Sequence, residues 1–380
     1  MPEKPSPERS GKVSATVVEA SQFYLPAEPI AATHLVLRWR GRTRFTVPVD
    51  RGAQAACWRL FQPGRIEVPL RLSARLPQLF GAMHSVESET LALIRKEIGR
   101  RAGASCCRAG APGPWKKDTI LLLDDALQPL LIVKAGKGEA VERLLRNEAE
   151  WLSALRDQPQ LSGQVPEMVA SQTGPELSFV AQTVLPGHAS FEFGEPHAAF
   201  LREFQASSRR SLHFEESRLY HNLQARMKGL DGLLTERWRL RLERAMRRME
   251  EQLCGEPILM TAAHNDFTPW NIRIEDGVAR IFDWELAEKE QLPLFDPLHF
   301  TVMPMALKRS APEAMVEKLR QTIVGCESWL GPEQCRAAET QALAYMTNLC
   351  TLYLWSQGGR CDSDPVMESY ARVIDLLNSP

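Results

Sequence analysis

Polar residues that could carry chemistry are concentrated in one segment, Thr261–Glu285, with the sequence TAAHNDFTPWNIRIEDGVARIFDWE. It contains His264 and Asp266, then Asn271 five positions after Asp266, and Asp283 at the end of an apolar run. Phosphoryl transfer from a nucleotide needs one carboxylate that orients the attacking hydroxyl and receives its proton. It also needs a second carboxylate and an amide oxygen as hard ligands for Mg²⁺. The spacing predicts such a site, and an Asx-rich turn beside a strand is the structural alternative.

A lysine and a glutamate stand where the hydrophobic pattern predicts burial. Lys134 ends the apolar strand LLIVKA, and a helix beginning at Glu139 places Glu148 on the stripe formed by its leucines. Because an unpaired buried charge costs several kcal/mol, we predict that the two side chains form an ion pair. The alternative is that Lys134 extends to the strand edge and Glu148 lies at the border of the stripe.

The elements that must position these residues fall into two groups. The runs SCCRAG, TILLLD and LLIVKA predict an antiparallel meander of three strands between residues 105 and 135. Two more strands follow, and after Gly187 the chain is predicted to be mainly helical, with a hairpin at Glu275-Asp276-Gly277. The first loop of the meander contains Gly110, Gly113 and two lysines, which are the components of a backbone cradle for phosphate. A plain turn is the more common role of glycine and proline between strands.

The chain is predicted to have four parts. Residues 1–12 read as a disordered polar leader and residues 13–104 as a β-rich N-terminal module of unknown role. Residues 105–187 are predicted to form a small sheet lobe, and residues 188–380 a helical lobe with the catalytic loop. Strand-like alternation continues to about Val86, and a short helix is predicted from Ser88 to Arg101.

The overall composition excludes several classes of protein. The chain has 380 residues, with 46 Lys and Arg against 47 Asp and Glu, so it lacks the basic excess of a dedicated nucleic-acid-binding protein. No run approaches the roughly 18 apolar residues of a membrane span, and the leader lacks the apolar region of a signal peptide. The eight cysteines include no CxxC pair, which argues against a disulfide framework or a cysteine zinc site. We therefore expect a cytoplasmic protein with no nucleic-acid partner and no transmembrane segment.

The run HNDFTPWN followed by IFDWE resembles the catalytic-loop and metal-strand motifs of the aminoglycoside phosphotransferase and choline kinase superfamily. The resemblance extends back to Lys134 and Glu148 and covers roughly Ser105 to Pro380. It implies an α+β, protein-kinase-like fold with a small antiparallel sheet lobe and a larger helical lobe. It further implies a bacterial-type phosphotransferase that uses ATP and Mg²⁺ to phosphorylate a hydroxyl group of a small molecule.

The resemblance also assigns roles to the residues of the central segment. It implies that Asp266 is the catalytic base and that His264 braces the catalytic loop. Asn271 and Asp283 are implied to bind Mg²⁺. Lys134, held by Glu148, is implied to contact the α- and β-phosphates. Gly110 and Gly113 are implied to lie over the phosphates. The main chain from Thr183 to Leu185 is implied to contact the adenine.

Two further positions refine the comparison with the superfamily. Asn265 stands where the family usually has glycine between the histidine and the aspartate, and asparagine is the next most tolerant residue of a left-handed backbone. Asp296 resembles a further acidic position of the family, and we expect it to tie down the catalytic region rather than to touch metal.

Two other functions remain open from the sequence. One is a catalytically silent kinase-like protein that binds a nucleotide or serves as a scaffold. The other is a metal-dependent hydrolase using His264 and Asp266, which is disfavoured because one histidine does not supply a histidine-rich metal site. The acceptor is not identified, with a carbohydrate-like molecule as one candidate, and the helical part shows no acidic excess of the kind that a polycationic aminoglycoside would require.

Overall fold

The computed structural model describes residues 34–39, 42–60, 104–360 and 364–379. Two compact units divide the chain. The first consists of the described residues up to Ala111 together with Asp118–Leu130, and the second consists of Pro112–Lys117 and the described residues from Leu131 onward. The division falls within the predicted small lobe. The predicted leader, the strand-like residues before His34 and the helix predicted over Ser88–Arg101 lie outside the described residues.

The first unit is built on antiparallel strands. The strands pair in the order β1–β2–β3–β4, and their bounds are His34–Trp39, Arg42–Pro48, Ala104–Arg108 and Lys117–Leu123. Burial alternates along β1, where Leu35 and Leu37 are buried, whereas β2, β3 and β4 each bury three or four consecutive residues, among them Val47 and Cys106 at 0% exposure. The sheet pairing confirms the strands predicted in this region.

One element of the first unit contradicts the sequence prediction. Residues Arg51–Leu60 form a helix, α1, within a stretch that was predicted to be strand-like. The side chain of Asp50 accepts a hydrogen bond of 2.8 Å from the backbone N–H of Ala53, which caps the helix at its N-terminus. Ala53, Ala56 and Cys57 then form the buried face, at the helical spacing of three and four residues. The local cap and this spacing outweigh the surrounding strand pattern.

The second unit begins with three strands and a long helix. Strands β5, β6 and β7 pair antiparallel in the order β5–β7–β6, with bounds Pro129–Gly136, Met168–Gln172 and Ser178–Thr183. Helix α2, Glu139–Arg156, starts after Gly138 and buries one stripe of leucines together with Glu148 and Trp151. Both the strands and the helix agree with the sequence prediction, including the burial of Glu148.

Two small sheets and seven helices complete the described part of the second unit. Strands β8 to β12 have the bounds Arg210–Leu212, Ile258–Ala263, Ile272–Glu275, Val278–Ile281 and Glu288–Gln291. Three of them form a sheet in the order β12–β9–β8. The other two, β10 and β11, pair as the predicted hairpin. Helices α3 to α9 span Glu195–Ala206, Arg218–Gly229, Glu236–Leu253, Phe295–Leu307, Pro312–Leu330, Ala338–Ser356 and Pro365–Leu377.

Helices α4 to α9 of the second unit enclose one large apolar core, and the buried residues of α2 and α3 belong to a second apolar cluster. Helix α8 lies at the centre of the large core, with almost every residue from Thr340 to Thr351 buried, and it packs against α4, α5, α6 and α9. Helices α3 to α9 confirm the mainly helical character predicted for the chain after Gly187. Among the described residues, no helix is both long and apolar enough to cross a membrane.

Candidate active site

The loop after β9 is held by a buried carboxylate. Asp296, at the start of α6, accepts hydrogen bonds from the backbone N–H groups of His264, at 2.8 Å, and Asn265, at 2.9 Å. Burial raises the pKa of Asp296 to about 6, and the two backbone donors oppose this shift. Asn265 has a φ of 60°, the left-handed conformation expected for the residue that replaces glycine here. Asp296 therefore ties down the loop, as the sequence predicted.

His264 lies inside the protein and holds the loop by both ring nitrogens. Its Nδ1 accepts a hydrogen bond of 3.2 Å from the backbone N–H of Asp266, so Nε2 carries the proton and donates to the carbonyl of Phe282 at 3.1 Å. Burial lowers the pKa of His264 to about 3, which keeps the ring neutral. The side chain is fully buried. This geometry supports a bracing role for His264.

The carboxylate of Asp266 is oriented by two side chains. Its Oδ2 accepts a hydrogen bond of 2.7 Å from Nδ2 of Asn271, and its Oδ1 lies 3.2 Å from Nε2 of His299. Burial raises the pKa of Asp266, and the hydrogen bond and charge of His299 oppose that shift. On the far side of the imidazole, the hydroxyl of Tyr345 lies 3.1 Å from Nδ1 of His299. The carboxylate is thus held in one orientation within a chain of hydrogen bonds.

Sequence reasoning missed His299 and Tyr345. His299 lies on α6, 33 positions after Asp266, and Tyr345 lies on α8, 46 positions further on. No local motif connects residues at such separations. The available signal was a histidine between Leu298 and Phe300, where burial requires hydrogen-bond partners for both ring nitrogens.

Lys134 joins two carboxylates. Its Nζ lies 2.6 Å from Oε1 of Glu148 and 2.6 Å from Oδ1 of Asp283. Burial alone would lower the pKa of Lys134, but Asp283 and Glu148 raise it above its ordinary value. Burial alone would likewise raise the pKa of Asp283, but Lys134 lowers it. The predicted pair of Lys134 with Glu148 is confirmed, and Asp283 is its third member.

Further carboxylate groups surround this lysine. Glu285 lies on the turn after Asp283 and pairs with Lys117, whose Nζ is 2.7 Å from Oε1. Burial, reinforced by the charge of Asp283, raises the pKa of Glu285 to about 7. Glu148, Asp283 and Glu285 each offer an oxygen, and these three atoms lie within 4.8 Å of one another. So dense a group of carboxylates favours the binding of a cation.

The residues present fit a magnesium ion. Oε2 of Glu148 is buried and has no hydrogen-bond partner among the described residues. Asn271 donates from Nδ2 to both the side chain and the backbone carbonyl of Asp266, which leaves its amide oxygen for a cation. Asp283, in a left-handed conformation with a φ of 77°, exposes 28% of its side chain. Carboxylate and amide oxygens are the hard ligands that Mg²⁺ prefers.

The other residues assigned to the nucleotide lie in two places. Thr183 ends β7, where its hydroxyl accepts a hydrogen bond of 2.9 Å from the backbone N–H of Glu167, and the half-buried Leu185 follows it. Gly110 belongs to the first unit and donates its N–H to Asp118 at 3.0 Å, whereas Gly113 belongs to the second. The placement of these residues at a nucleotide stays a prediction.

A cavity of about 580 Å³ lies beside the catalytic loop. Four of the residues that line it belong to the network described above or adjoin it, namely Asn265, Glu285, His299 and Tyr345. The rest of its wall comes from α2, α4, α8 and β12 and from Trp115 and Leu286. Because His299 contacts Asp266 directly, a molecule in this cavity lies close to the carboxylate.

Comparisons with known proteins agree with this arrangement. Residues 109–292 match the family described as "Phosphotransferase enzyme family". A thermostable mutant of the aminoglycoside phosphotransferase APH(4)-Ia, in a ternary complex with ADP and hygromycin B, is 12% identical with a TM-score of 0.51; the match covers 76% of this chain and 97% of that one. The gentamicin complex of APH(2'')-IIa is 15% identical with a TM-score of 0.50, and the match covers 77% of this chain and 97% of that one. No curated protein matches the sequence.

The two solved structures share the fold of this chain despite low sequence identity. The predicted α+β, protein-kinase-like fold is therefore confirmed. The family match spans the segment from the meander of the small lobe to the strand after Asp283, so it includes Lys134, Glu148 and the whole catalytic loop. This match confirms the family resemblance that the sequences HNDFTPWN and IFDWE indicated.

Proposed function

Because residues 109–292 match the phosphotransferase enzyme family, we propose that this protein is an ATP- and Mg²⁺-dependent kinase that phosphorylates a hydroxyl group of a small molecule. The observation that carries the proposal is Lys134, whose Nζ lies 2.6 Å from both Glu148 and Asp283. The similar structure of APH(4)-Ia holds ADP and hygromycin B, which supports the same division into a nucleotide and an acceptor in this chain.

Lys134 binds the nucleotide phosphates in this proposal. The two carboxylates keep its ammonium group charged and fix its position, so it presents a single positive charge to the α- and β-phosphates. Glu148 is fully buried and bonded to the lysine, and it therefore holds Lys134 in position for the nucleotide. Gly110 and Gly113 are proposed to cover the phosphates, and the main chain from Thr183 to Leu185 is proposed to contact the adenine.

Asp283 and Asn271 would hold the metal through a carboxylate and an amide oxygen. When bound, Mg²⁺ neutralises charge on the phosphates during transfer. Asn271 has a second function, because its amide nitrogen donates to the carboxylate of Asp266 at 2.7 Å. The same amide group thereby sets the position of Asp266 relative to the metal ligands.

Asp266 receives the proton in the transfer step. The acceptor oxygen attacks the γ-phosphorus of ATP, its O–H proton passes to the carboxylate of Asp266, and the bond between the γ-phosphorus and the bridging oxygen breaks to release ADP. Asn271 and His299 hold the two oxygens of that carboxylate, so Asp266 meets the hydroxyl in one orientation. Such positioning is a large part of catalysis in phosphoryl transfer.

Nucleotide binding and ADP release test the proposal in separate steps. We expect ATP to raise the melting temperature more with Mg²⁺ than without it, and we expect this effect to be lost in Lys134→Ala. ADP release is then measured with a panel of sugars, amino alcohols, phosphorylated and carboxylated sugars and aminoglycosides. We expect Asp266→Asn to abolish turnover while binding persists. Asp276→Asn, an exposed position with left-handed backbone, is the matched control.

Two outcomes would contradict the proposal. If ATP does not bind with or without Mg²⁺, neither a kinase nor a nucleotide-binding protein is present. If ATP binds tightly but ADP release stays at the Asp266→Asn level with every acceptor, the catalytically silent alternative is favoured.

A further inference from the structure

The cavity beside the catalytic loop has a polar wall with an unusual charge distribution. Its volume of about 580 Å³ suits a small molecule, since ligand pockets commonly span about 300–1,000 Å³. Three guanidinium groups line it, from Arg143 on α2 and from Arg218 and Arg226 on α4. All three belong to the second unit, together with every other residue of the wall.

Helix α4 presents one polar face to the cavity. Arg218, Asn222 and Arg226 recur every four residues, so they share a side of the helix, and each of them lines the cavity. Leu219 and Leu223 lie on the adjacent side of the helix, each one residue further along the chain than a polar residue of this face, and are fully buried in the core. The helix is therefore oriented by its leucines, and its arginines are directed to the cavity as a consequence.

Neighbouring side chains restrain two of the arginines. Nη1 of Arg226 donates a hydrogen bond of 2.7 Å to the side-chain oxygen of Asn348. The guanidinium carbon of Arg143 lies 5.5 Å from the ring centre of Trp355, a cation–π contact. Neither contact neutralises the positive charge. Each leaves most of the five N–H donors of the guanidinium group for a ligand.

Acidic side chains do not cancel this charge. Within the described residues, none of the three guanidinium groups forms an ion pair with a carboxylate, although the backbone N–H of Arg218 donates to the side chain of Glu290 at 2.9 Å. Two glutamates also line the cavity, but Glu285 is paired with Lys117 at 2.7 Å. The remaining carboxylate is that of Glu288. Burial raises the pKa of Glu288, and the charges of Arg226 and Arg218 oppose this shift. Three guanidinium groups therefore share the cavity with one further carboxylate.

We infer that the acceptor carries an anionic group, a phosphate or a carboxylate, in addition to the hydroxyl that reacts. Guanidinium groups bind both anions through paired N–H donors, and a polycationic aminoglycoside would meet charge of its own sign. The inference rests on the proposed function, because it assigns this cavity to the acceptor. The hydroxyl of such a molecule lies toward His299 and Asp266, and its anionic group lies toward α4.

Binding of inorganic phosphate tests the charge of the cavity without knowledge of the acceptor. We propose calorimetry on full-length protein saturated with Mg²⁺ and a nonhydrolysable ATP analogue, so that phosphate cannot occupy the nucleotide site. We expect one phosphate site, weakened at least about tenfold in Arg218→Gln and in Arg226→Gln, the loss typical of a charge-assisted hydrogen bond. Lys228→Gln is the control, because Lys228 is exposed on the same helix but does not line the cavity.

Absence of phosphate binding, or equal weakening by Lys228→Gln, would overturn the inference. If the ATP analogue does not bind, the proposed function fails, and phosphate is then titrated into Lys134→Ala without nucleotide. A phosphate site that persists there and is lost on adding Arg226→Gln supports an anion site independently of the kinase activity.

A charge series of acceptors distinguishes the two anions. Glucose, glucose 6-phosphate, glucuronate and glucosamine share one scaffold and differ in charge, and each is titrated as a ligand in competition with inorganic phosphate. We expect displacement by the phosphate ester, the carboxylate or both, and none by glucose or glucosamine. Stronger displacement by glucosamine than by either anionic sugar would refute the inference.

Discussion

The imidazole of His299 lies between the carboxylate of Asp266 and the hydroxyl of Tyr345. Nε2 is 3.2 Å from Oδ1 of Asp266, and Nδ1 is 3.1 Å from the hydroxyl oxygen of Tyr345. Both ring nitrogens of His299 are therefore engaged, Nε2 with the carboxylate of Asp266 and Nδ1 with the hydroxyl of Tyr345. The orientation of the proposed catalytic base therefore depends on two helices that lie outside the loop containing it.

Replacement of His299 tests this dependence. We expect His299→Gln to lower kcat roughly 10- to 100-fold through misorientation of Asp266, with little change in ATP affinity. Tyr345→Phe keeps the imidazole of His299 and removes only its hydrogen-bond partner at Nδ1, so we expect a smaller loss of kcat. The measurement is the separation of kcat from both KM values across pH, with the exposed His221→Gln as control. Loss of ATP affinity in parallel with kcat would indicate a general structural effect instead.

The ion pair of Lys134 with Glu148 predicts strong coupling in stability. Lys134→Met leaves the buried carboxylate of Glu148 without its cation, so we expect a loss of about 3–5 kcal/mol in the free energy of unfolding. Glu148→Gln removes the charge that needs compensation, so the double variant should be less destabilised than the sum of the single variants. Urea unfolding in the presence of EDTA measures all four proteins. Additive effects would mean that the two side chains do not interact.

Gly187, just after β7, is expected to tolerate no side chain. Its φ is 106°, and an added Cβ would lie 2.7 Å from the carbonyl oxygen of Ile274, while the next residue, His188, pairs with Ile274 through backbone hydrogen bonds. We expect Gly187→Ala to lower the free energy of unfolding by about 2–4 kcal/mol. Gly232→Ala is the control, because its φ of 72° carries similar strain with no atom within 4 Å. Equal losses in both variants would show that the close contact with Ile274 does not lower the free energy of unfolding.

A buried histidine predicts part of the pH dependence of stability. His197 is 2% exposed, and burial lowers its pKa to about 4. The unfolded chain, with a histidine pKa of about 6.5, therefore binds the proton first, and stability is lost as the pH falls below that value. Between pH 7 and pH 5 this histidine accounts for a loss of about 2 kcal/mol.

The variant His197→Phe isolates that contribution. The ring of His197 lies among aromatic neighbours, with its centroid 4.9 Å from that of Phe300 and 5.3 Å from that of Phe193. Phenylalanine therefore fits the same surroundings. The backbone N–H of Gly194 loses its acceptor, which lowers stability at every pH. We therefore compare slopes: the variant should lose about 2 kcal/mol less than the original protein from pH 7 to pH 5. Parallel curves would assign the pH dependence to other groups, among them His264.

The parts of the site that lie close together in the sequence were predictable because backbone geometry determines them. Asp266 and Asn271 share one loop, and their side chains meet at 2.7 Å. Lys134 on an apolar strand and Glu148 on an apolar helical stripe were both predicted to be buried, and the cost of an unpaired buried charge predicted their contact. Helix α1 shows the limit of this reasoning, since one capping carboxylate, Asp50, changed the element type.

The sequence by itself thus determined which polar residues the loop after β9 contains, the pairing of the buried lysine and the family resemblance. Only the tertiary structure decided the partners that come from distant helices. His299 contacts Asp266, Tyr345 contacts His299, and Arg143 and Arg226 line one cavity, because the packing of buried faces brings α2, α4, α6 and α8 together. The hydrophobic effect that drives this packing is nondirectional, so a single sequence reveals which faces are buried but not which polar residues the buried faces bring together.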